Sequence, residues 1–190
     1  MTTSSPTVRE ETDEDLDAVR RVVTGAFGGE RVPALLDDLR TSAGCWLGLS
    51  FVAEDRGEVV GHVAYTRAWL DAPTKLVEVL VLSPLSVRPD HQRTGIGSQL
   101  VRETLPRLEE RAEPLVFLEG SPDFYPRLGF VAGADLRFTA PSTRIPGPAF
   151  QVATLPGYDQ SWMTGALVYP DVFWRHDCVG LRPENPQRVP

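Results

Sequence analysis

Two glycines near the middle of the chain have the spacing of a loop that can bind an anion. They end the segment RPDHQRTGIG, Arg88 to Gly97, and an amphipathic run follows, so the loop is predicted to open into a helix. The first amides of a helix lack partners within it and carry partial positive charge, which attracts anions. Gly95 and Gly97 leave these N–H groups accessible, and Arg93 adds a positive charge. The loop therefore predicts a phosphate site, although two glycines alone are also typical of a turn that needs only flexibility.

A strand before the loop and a helix after it must hold these residues in place. Val77 to Val87 is almost continuously apolar, which is typical of a strand buried on both faces. Pro84 can donate no hydrogen bond within a sheet, so we expect this strand to bulge or splay from its neighbour at Ser83 to Leu85. Pro106 is predicted to kink the helix, which should continue through Arg107 to Arg111. The apolar residues of the helix fall on one face: Ile96, Leu100, Val101, Leu105 and Leu108.

The composition is that of one globular domain spanning residues 1–190, with mobile N-terminal residues and an irregular, proline-rich tail after Leu181. No apolar run reaches the roughly 18 residues of a membrane helix, and the N-terminus lacks the pattern of an export signal, so we expect a cytoplasmic protein. The net charge of -7 disfavours a nucleic-acid partner. Cys45 and Cys178 lie far apart and have no metal-ligand spacing nearby, so both are predicted to be free thiols and no metal site is indicated.

The remaining elements alternate between strands and helices. Helices are predicted from Leu16 to Phe27 and Val32 to Arg40, and strands at Thr7 to Arg9, Trp46 to Glu54, Val59 to Trp69, Leu115 to Glu119, Phe150 to Leu155 and Thr164 to Tyr169. The turn at Asp55 to Gly57 joins its two flanking strands into a hairpin, and the last two strands can pair with each other. A right-handed crossover places the Leu115 strand parallel to the Val77 strand, with a ligand slot between them.

Two patterns taken together resemble a known family. The first is Q-x-x-G-x-G, which begins at Gln92 after the strand that ends at Val87; the second is Y-x-x-x-G-F, which begins at Tyr125. Their order resembles the cofactor site of the GNAT superfamily of N-acetyltransferases, and the resemblance covers Thr7 to Tyr169. The closing YPDVFW, Tyr169 to Trp174, is similar to a bacterial subgroup of predicted GNAT acetyltransferases. The loop lacks the lysine and hydroxyl of a nucleoside-triphosphate loop and the three-glycine spacing of a dinucleotide fold.

The resemblance implies an α/β (α+β) fold, with a mixed central sheet splayed between its fourth and fifth strands and helices on both faces. It also implies acetyl-CoA as the co-substrate. Backbone groups of Leu85 and Val87 would pair with the pantetheine arm, with Ser86 between them, and an N–H of Leu85 or Val87 would stabilise the oxyanion formed when an amine attacks. The pyrophosphate would be held by the amides of the loop: Arg93, Thr94, Gly95, Ile96, Gly97 and Ser98.

Direct attack on a thioester requires a neutral amine, whereas an alkylamine is mostly protonated at neutral pH. Glu119 is the first candidate for the base, because it ends the strand that borders the slot; Glu78, His62 or a water chain are alternatives. The leaving thiolate must gain a proton, and the resemblance implies that Tyr125 supplies it and also contacts the cofactor.

The chain departs from the family pattern at Gly120 to Pro122, where many members place an asparagine that contacts the pantetheine; Ser121 can substitute for it. The predicted function is transfer of an acetyl group to a primary amine on a small molecule or a protein. A noncatalytic acyl-CoA-binding regulatory module is the alternative, and an ATP-binding domain fits less well. The late strands could support a homodimer if they are exposed at an edge of the sheet, although nothing in the pattern requires one. Four tryptophans are candidates for an acceptor pocket or for the core: Trp46, Trp69, Trp162 and Trp174.

Overall fold

A mixed nine-stranded sheet organises residues 5–182, the part of the chain that the computed structural model describes. The strands are β1 (Thr7–Glu10), β2 (Trp46–Asp55), β3 (Glu58–Asp71), β4 (Leu76–Val87), β5 (Leu115–Glu119), β6 (Val131–Ala132), β7 (Phe138–Thr139), β8 (Phe150–Thr154) and β9 (Gly165–Val168). The helices are α1 (Leu16–Phe27), α2 (Arg31–Thr41), α3 (Ile96–Thr104) and α4 (Asp171–Arg175). Short 3-10 helices cover Asp13–Asp15, Pro89–His91, Leu105–Leu108, Tyr125–Leu128, Gly133–Leu136 and Gly147–Ala149. The predicted mobile N-terminus, residues 1–4, and the tail from residue 183 lie outside the described residues.

The sheet is splayed at its centre, as predicted. Strands β1 to β4 form an antiparallel meander, and β5 runs parallel to β4. The two parallel strands pair only at Leu80 with Val116 and at Val81 with Phe117, and beyond these pairs they separate. The register between β3 and β4 shifts where Ser83 and Pro84 stand, which confirms the predicted bulge. A gap between β4 and β5 follows from these two features.

Alternate residues of the central strands pack on helices of opposite faces. Leu80 and Leu82 of β4 belong to the same buried cluster as Leu100 of α3. Val81 shares a cluster with Leu35 of α2, on the other face, where α1 and α4 also pack. The predicted arrangement of helices on both faces is therefore confirmed. Within residues 5–182 no helix combines the length and apolarity needed to cross a bilayer.

Two expectations about the later part of the chain are wrong. Strands β8 and β9 do not pair with each other: β8 lies between β5 and β6, and β9 pairs with β3 and β7. Strand β8 pairs with the side of β5 that faces away from β4. Strand β9 pairs with Trp69–Asp71 of β3, because β2 does not extend alongside this part of β3. The helix after the loop ends at Leu108 rather than Arg111. It narrows to a 3-10 turn at Leu105–Leu108, where Pro106 has no N–H to continue the α-helical pattern.

Candidate active site

The loop between β4 and α3 borders a first cavity of about 610 Å³. Gly95 caps α3 with φ of +99°, and a side chain there would meet no protein atom within 4 Å. The predicted cofactor residues that line this cavity are Leu85, Val87, Arg93, Gly95, Ile96, Gly97 and Ser98. Three other predicted cofactor residues do not line it: Ser86, Thr94 and Tyr125. Ser86 is buried in the sheet, and the Thr94 hydroxyl donates a hydrogen bond to the His91 carbonyl at 2.6 Å.

The backbone of β4 presents hydrogen-bonding groups to the gap at the two positions predicted from the sequence. The Arg88 N–H donates to the Val60 carbonyl at 2.8 Å, and so points toward β3. Because amide directions alternate along a strand, the backbone groups of Val87 and Leu85 point away from β3 and into the gap. The Val87 carbonyl accepts a hydrogen bond from Gln92 Nε2 at 3.0 Å, which gives the glutamine of the Q-x-x-G-x-G pattern a structural role.

The first cavity is locally cationic although the chain is acidic. Among the described residues, its lining includes Arg93, Arg102 and Arg127 and no acidic side chain. An anionic ligand therefore finds positive charge together with the N-terminus of α3. Sequence reasoning missed Arg102 and Arg127. Arg102 stands four residues after Ser98, so helical spacing alone places both on one face of α3 and would have identified it.

A second cavity of about 600 Å³ adjoins the first, and the two share Phe27, Leu85 and Phe124 in their linings. It lies at the gap, because its walls include Val81 to Leu85 of β4 and Glu119 to Ser121 at the end of β5. A long ligand with an anionic end in the first cavity can therefore extend its other end into the second.

Glu119 is a half-buried carboxylate in the second cavity. Its Oε2 accepts a hydrogen bond from the Gly180 N–H at 3.0 Å, its Oε1 is buried, and the Tyr169 hydroxyl interacts with the carboxylate. Burial raises the pKa of Glu119, although the Gly180 N–H, the nearby Tyr169 hydroxyl and Arg144 each lower it. A carboxylate with a raised pKa is a better proton acceptor at neutral pH than an exposed one.

Tyr125 also lines the second cavity, rather than the first. Its ring packs edge-on against Phe124 and Phe130, with centroids 4.8 and 5.6 Å away. Gly129 ends the 3-10 turn with φ of +93°, which lets the chain reverse and bring Phe130 to the ring. Burial raises the pKa of Tyr125 to about 12, and its hydroxyl has no hydrogen-bond partner in the described part of the chain. The phenol therefore stays protonated at neutral pH and is free to donate.

The two alternative bases lie away from this cavity. His62 is fully buried, 2.9 Å from the Ser50 hydroxyl and 3.3 Å from Glu11, and burial lowers its pKa. Glu78 pairs with Arg67 at 2.7 Å and borders a separate cavity. Of the described residues, neither of these two lines the second cavity, nor do the four tryptophans. Glu119 is thus the one candidate base that the fold brings to the same cavity as Tyr125.

Residues 7–133 match the family model of the acetyltransferase (GNAT) domain. The chain belongs to the GNAT acetyltransferase family. A relative from Escherichia coli strain K12, named uncharacterized N-acetyltransferase YjhQ, is 33% identical over 116 residues, which are 61% of this GNAT chain and 64% of that protein. The matched region thus spans less than two thirds of that relative's length.

Solved structures agree with this assignment over more of the chain. One is the crystal structure of the GNAT family N-acetyltransferase YhbS from Escherichia coli in complex with CoA. The two structures superpose with a TM-score of 0.80 at 27% identity, and the match covers 90% of this GNAT chain and 93% of the YhbS chain. A GNAT family acetyltransferase from Brucella melitensis, in complex with acetyl-CoA, has a TM-score of 0.69 at 28% identity, with coverages of 88% and 97%.

The sequence patterns did not predict the contacts between Glu119 and the segment after β9. The partners of Glu119 come from the segment after β9, where Tyr169, Phe173 and Cys178 line the second cavity and Gly180 supplies the N–H. The YPDVFW pattern marks the start of this segment but does not indicate which side chain it meets.

Proposed function

We propose that this GNAT protein transfers the acetyl group of acetyl-CoA to a primary amine by direct attack, without a covalent enzyme intermediate. The observation that carries the proposal is the gap between β4 and β5, which joins a cationic cavity to a second cavity containing Glu119 and Tyr125.

The first cavity fits acetyl-CoA chemically. Its three arginines and the amides at the start of α3 suit a pyrophosphate, and the open space at Gly95 allows close approach to the backbone. The backbone of Leu85 and the N–H of Val87 suit the amide groups of a pantetheine arm. Two similar GNAT structures were determined with CoA and with acetyl-CoA bound. When bound, acetyl-CoA supplies an activated acetyl thioester.

The residues of the second cavity have complementary roles in proton transfer. Glu119 accepts a proton from the incoming ammonium group, which leaves the nitrogen lone pair free to bond to the acetyl carbon. As the carbon–sulfur bond breaks, Tyr125 donates its phenolic proton to the departing sulfur. A backbone N–H of β4 that faces the gap donates to the acetyl oxygen. The nitrogen loses a second proton as the tetrahedral intermediate collapses to the amide, and this proton restores the Tyr125 phenol. Glu119 releases the first proton to solvent, so one proton is released for each acetyl group transferred.

The test measures cofactor binding and turnover separately. The melting temperature with and without acetyl-CoA reports binding, since a ligand at a thousandfold excess over its dissociation constant stabilises by about 4 kcal/mol. Release of the CoA thiol in the presence of a panel of amines reports turnover. We expect Tyr125→Phe to lower turnover by about 10²-fold or more and to keep the thermal shift, whereas the control Tyr158→Phe should change neither.

A second pair of variants tests the base. Glu119→Gln should reduce turnover with the thermal shift retained, and Glu78→Gln is its control, since Glu78 borders another cavity. A thermal shift without turnover of any amine would favour the noncatalytic acyl-CoA-binding module. Equal turnover by the wild type and Tyr125→Phe would remove Tyr125 from the mechanism.

A further inference from the structure

One side of the second cavity is a buried apolar wall. Leu35 of α2, Val81 of β4 and Phe173 of α4 are each no more than 2% exposed and line it together. Leu82 and Val32 extend the same surface. A ligand body that fills this space exchanges water for hydrocarbon contacts on several sides.

The charged residues of this cavity divide into a buried one and an exposed pair. Arg31 and Asp177 stand at the rim with side chains 66% and 39% exposed, 3.9 Å from each other. Asp177 also pairs with Arg182. The rim carboxylate is therefore already neutralised by arginines. Among the described lining residues, Glu119 is the one carboxylate that forms no ion pair.

We infer that the acceptor is a small primary amine whose nitrogen is attached to an apolar alkyl or aryl group. Its ammonium group binds the Glu119 carboxylate, and its hydrocarbon body packs on Leu35, Val81 and Phe173. This inference rests on the proposed function and specifies its acceptor.

The same surface discriminates against amines with polar bodies. A hydroxyl or second ammonium group placed against these apolar walls loses its water and gains no partner, which costs about tenfold or more in binding for each unpaired group. Polyamines, amino sugars and lysine residues embedded in a polar peptide backbone are consequently poor acceptors.

The inference is tested with the full chain and saturating acetyl-CoA, comparing kcat/KM for 2-phenylethylamine, hexylamine, spermidine, glucosamine and a short lysine peptide. We expect the first two amines to exceed the other three by about tenfold or more. A higher or equal value for spermidine, glucosamine or the peptide would overturn the inference and leave the proposed function standing. A thermal shift with acetyl-CoA but no turnover of any of the five would overturn both.

A size variant gives a second, independent readout. Val32 is half-buried at the start of α2, so Val32→Trp adds bulk to the cavity without replacing a fully buried core residue. It should lower kcat/KM for 2-phenylethylamine about tenfold more than kcat/KM for ethylamine. Val59→Trp is the matched control. Val59, like Val32, packs against the buried cluster that contains Val23 and Leu36, but it borders a different cavity. An equal loss for both amines would contradict the inference. The ranking of amines by the wild type decides the matter even if Val32→Trp fails to fold.

Discussion

Replacing Gly120 by alanine should sharply reduce the proposed acetyl transfer, because one added methyl group displaces Tyr125. Gly120 follows β5 directly, and its N–H donates to the Ala149 carbonyl at 2.9 Å, so its backbone is fixed. A Cβ atom at this position would lie 2.2 Å from Cε2 and 2.8 Å from Cδ2 of the Tyr125 ring. To reach an ordinary contact of 3.4 Å, the first pair of atoms must separate by about 1.2 Å. The ring itself is held by Phe124 and Phe130.

The expected magnitudes follow from that displacement. Overpacking of this kind costs about 1–3 kcal/mol of unfolding free energy, which lowers the melting temperature by roughly 2–12 °C for a chain of this length. A misplacement of about 1 Å in a reacting group can cost about 10²-fold in turnover. Acetyl-CoA binding should persist, because Gly120 lies in the lining of the second cavity and not of the first.

The assay combines thermal unfolding, the thermal shift with acetyl-CoA and the rate of CoA thiol release. Gly157→Ala is the control, since a Cβ there would meet Pro114 at an ordinary 3.6 Å. Introducing Gly120→Ala into a Tyr125→Leu background should cost less stability than in the wild type, because the clashing ring is gone, with a coupling energy of about 0.5–3 kcal/mol. Wild-type stability and turnover in Gly120→Ala would refute the reasoning.

The structure fixes the direction of the effect of four other variants. Gly95→Ala should lower the free energy of unfolding by about 1–3 kcal/mol, because Gly95 has a positive φ. Gly97→Ala should raise it by about 0.5–1 kcal/mol, because Gly97 lies inside α3 and the nearest atom to an added Cβ is 3.5 Å away. Urea unfolding measures both changes. The pKa of Glu119 is raised above the ordinary glutamate value of 4.5, so kcat/KM should rise with pH as this carboxyl loses its proton, with an inflection above pH 4.5. In Glu119→Gln this rise of kcat/KM with pH should be absent. Burial raises the pKa of Glu11, but contacts led by His62 lower it to a net value of about 2. Its stabilising effect is therefore complete above about pH 4.5 and is lost as pH falls toward 2, and in Glu11→Gln this part of the acid unfolding curve should be absent.

Local patterns in the sequence were sufficient for the first half of the fold. An almost continuously apolar run predicted β4, and Pro84 within it predicted the bulge that separates β4 from β5. The partners of β8 and β9 were not predictable in the same way, because strand pairing depends on which edges remain open after the rest of the sheet has formed. The helix ends at Leu108, earlier than the predicted end at Arg111, because Pro106 has no N–H to continue the α-helical pattern.

In the candidate site, too, the features formed by residues close in sequence could be predicted, and a contact between distant residues could not. The glycine loop and Tyr125 could be recognised because their residues are close in sequence and each pattern has a local structural reason. The contact between Gly180 and Glu119 joins positions 61 residues apart, so no periodicity or spacing indicates it. Gly180 has a φ of +64°, and a Cβ there would come within 2.7 Å of the Arg144 backbone, a constraint that only the folded chain reveals.

The two cavities share part of their lining, but one wall of the second comes from a stretch of the chain that the first does not use. Every residue that lines the first cavity lies between Ala26 and Arg127, within the region matched by the family model, whereas one wall of the second is built by residues 169–181, beyond that region. Substitutions in this later segment can reshape the second cavity while the cationic loop stays intact. A library designed to change acceptor preference can therefore be confined to residues 169–181, provided that Gly180 is kept, since its N–H orients Glu119.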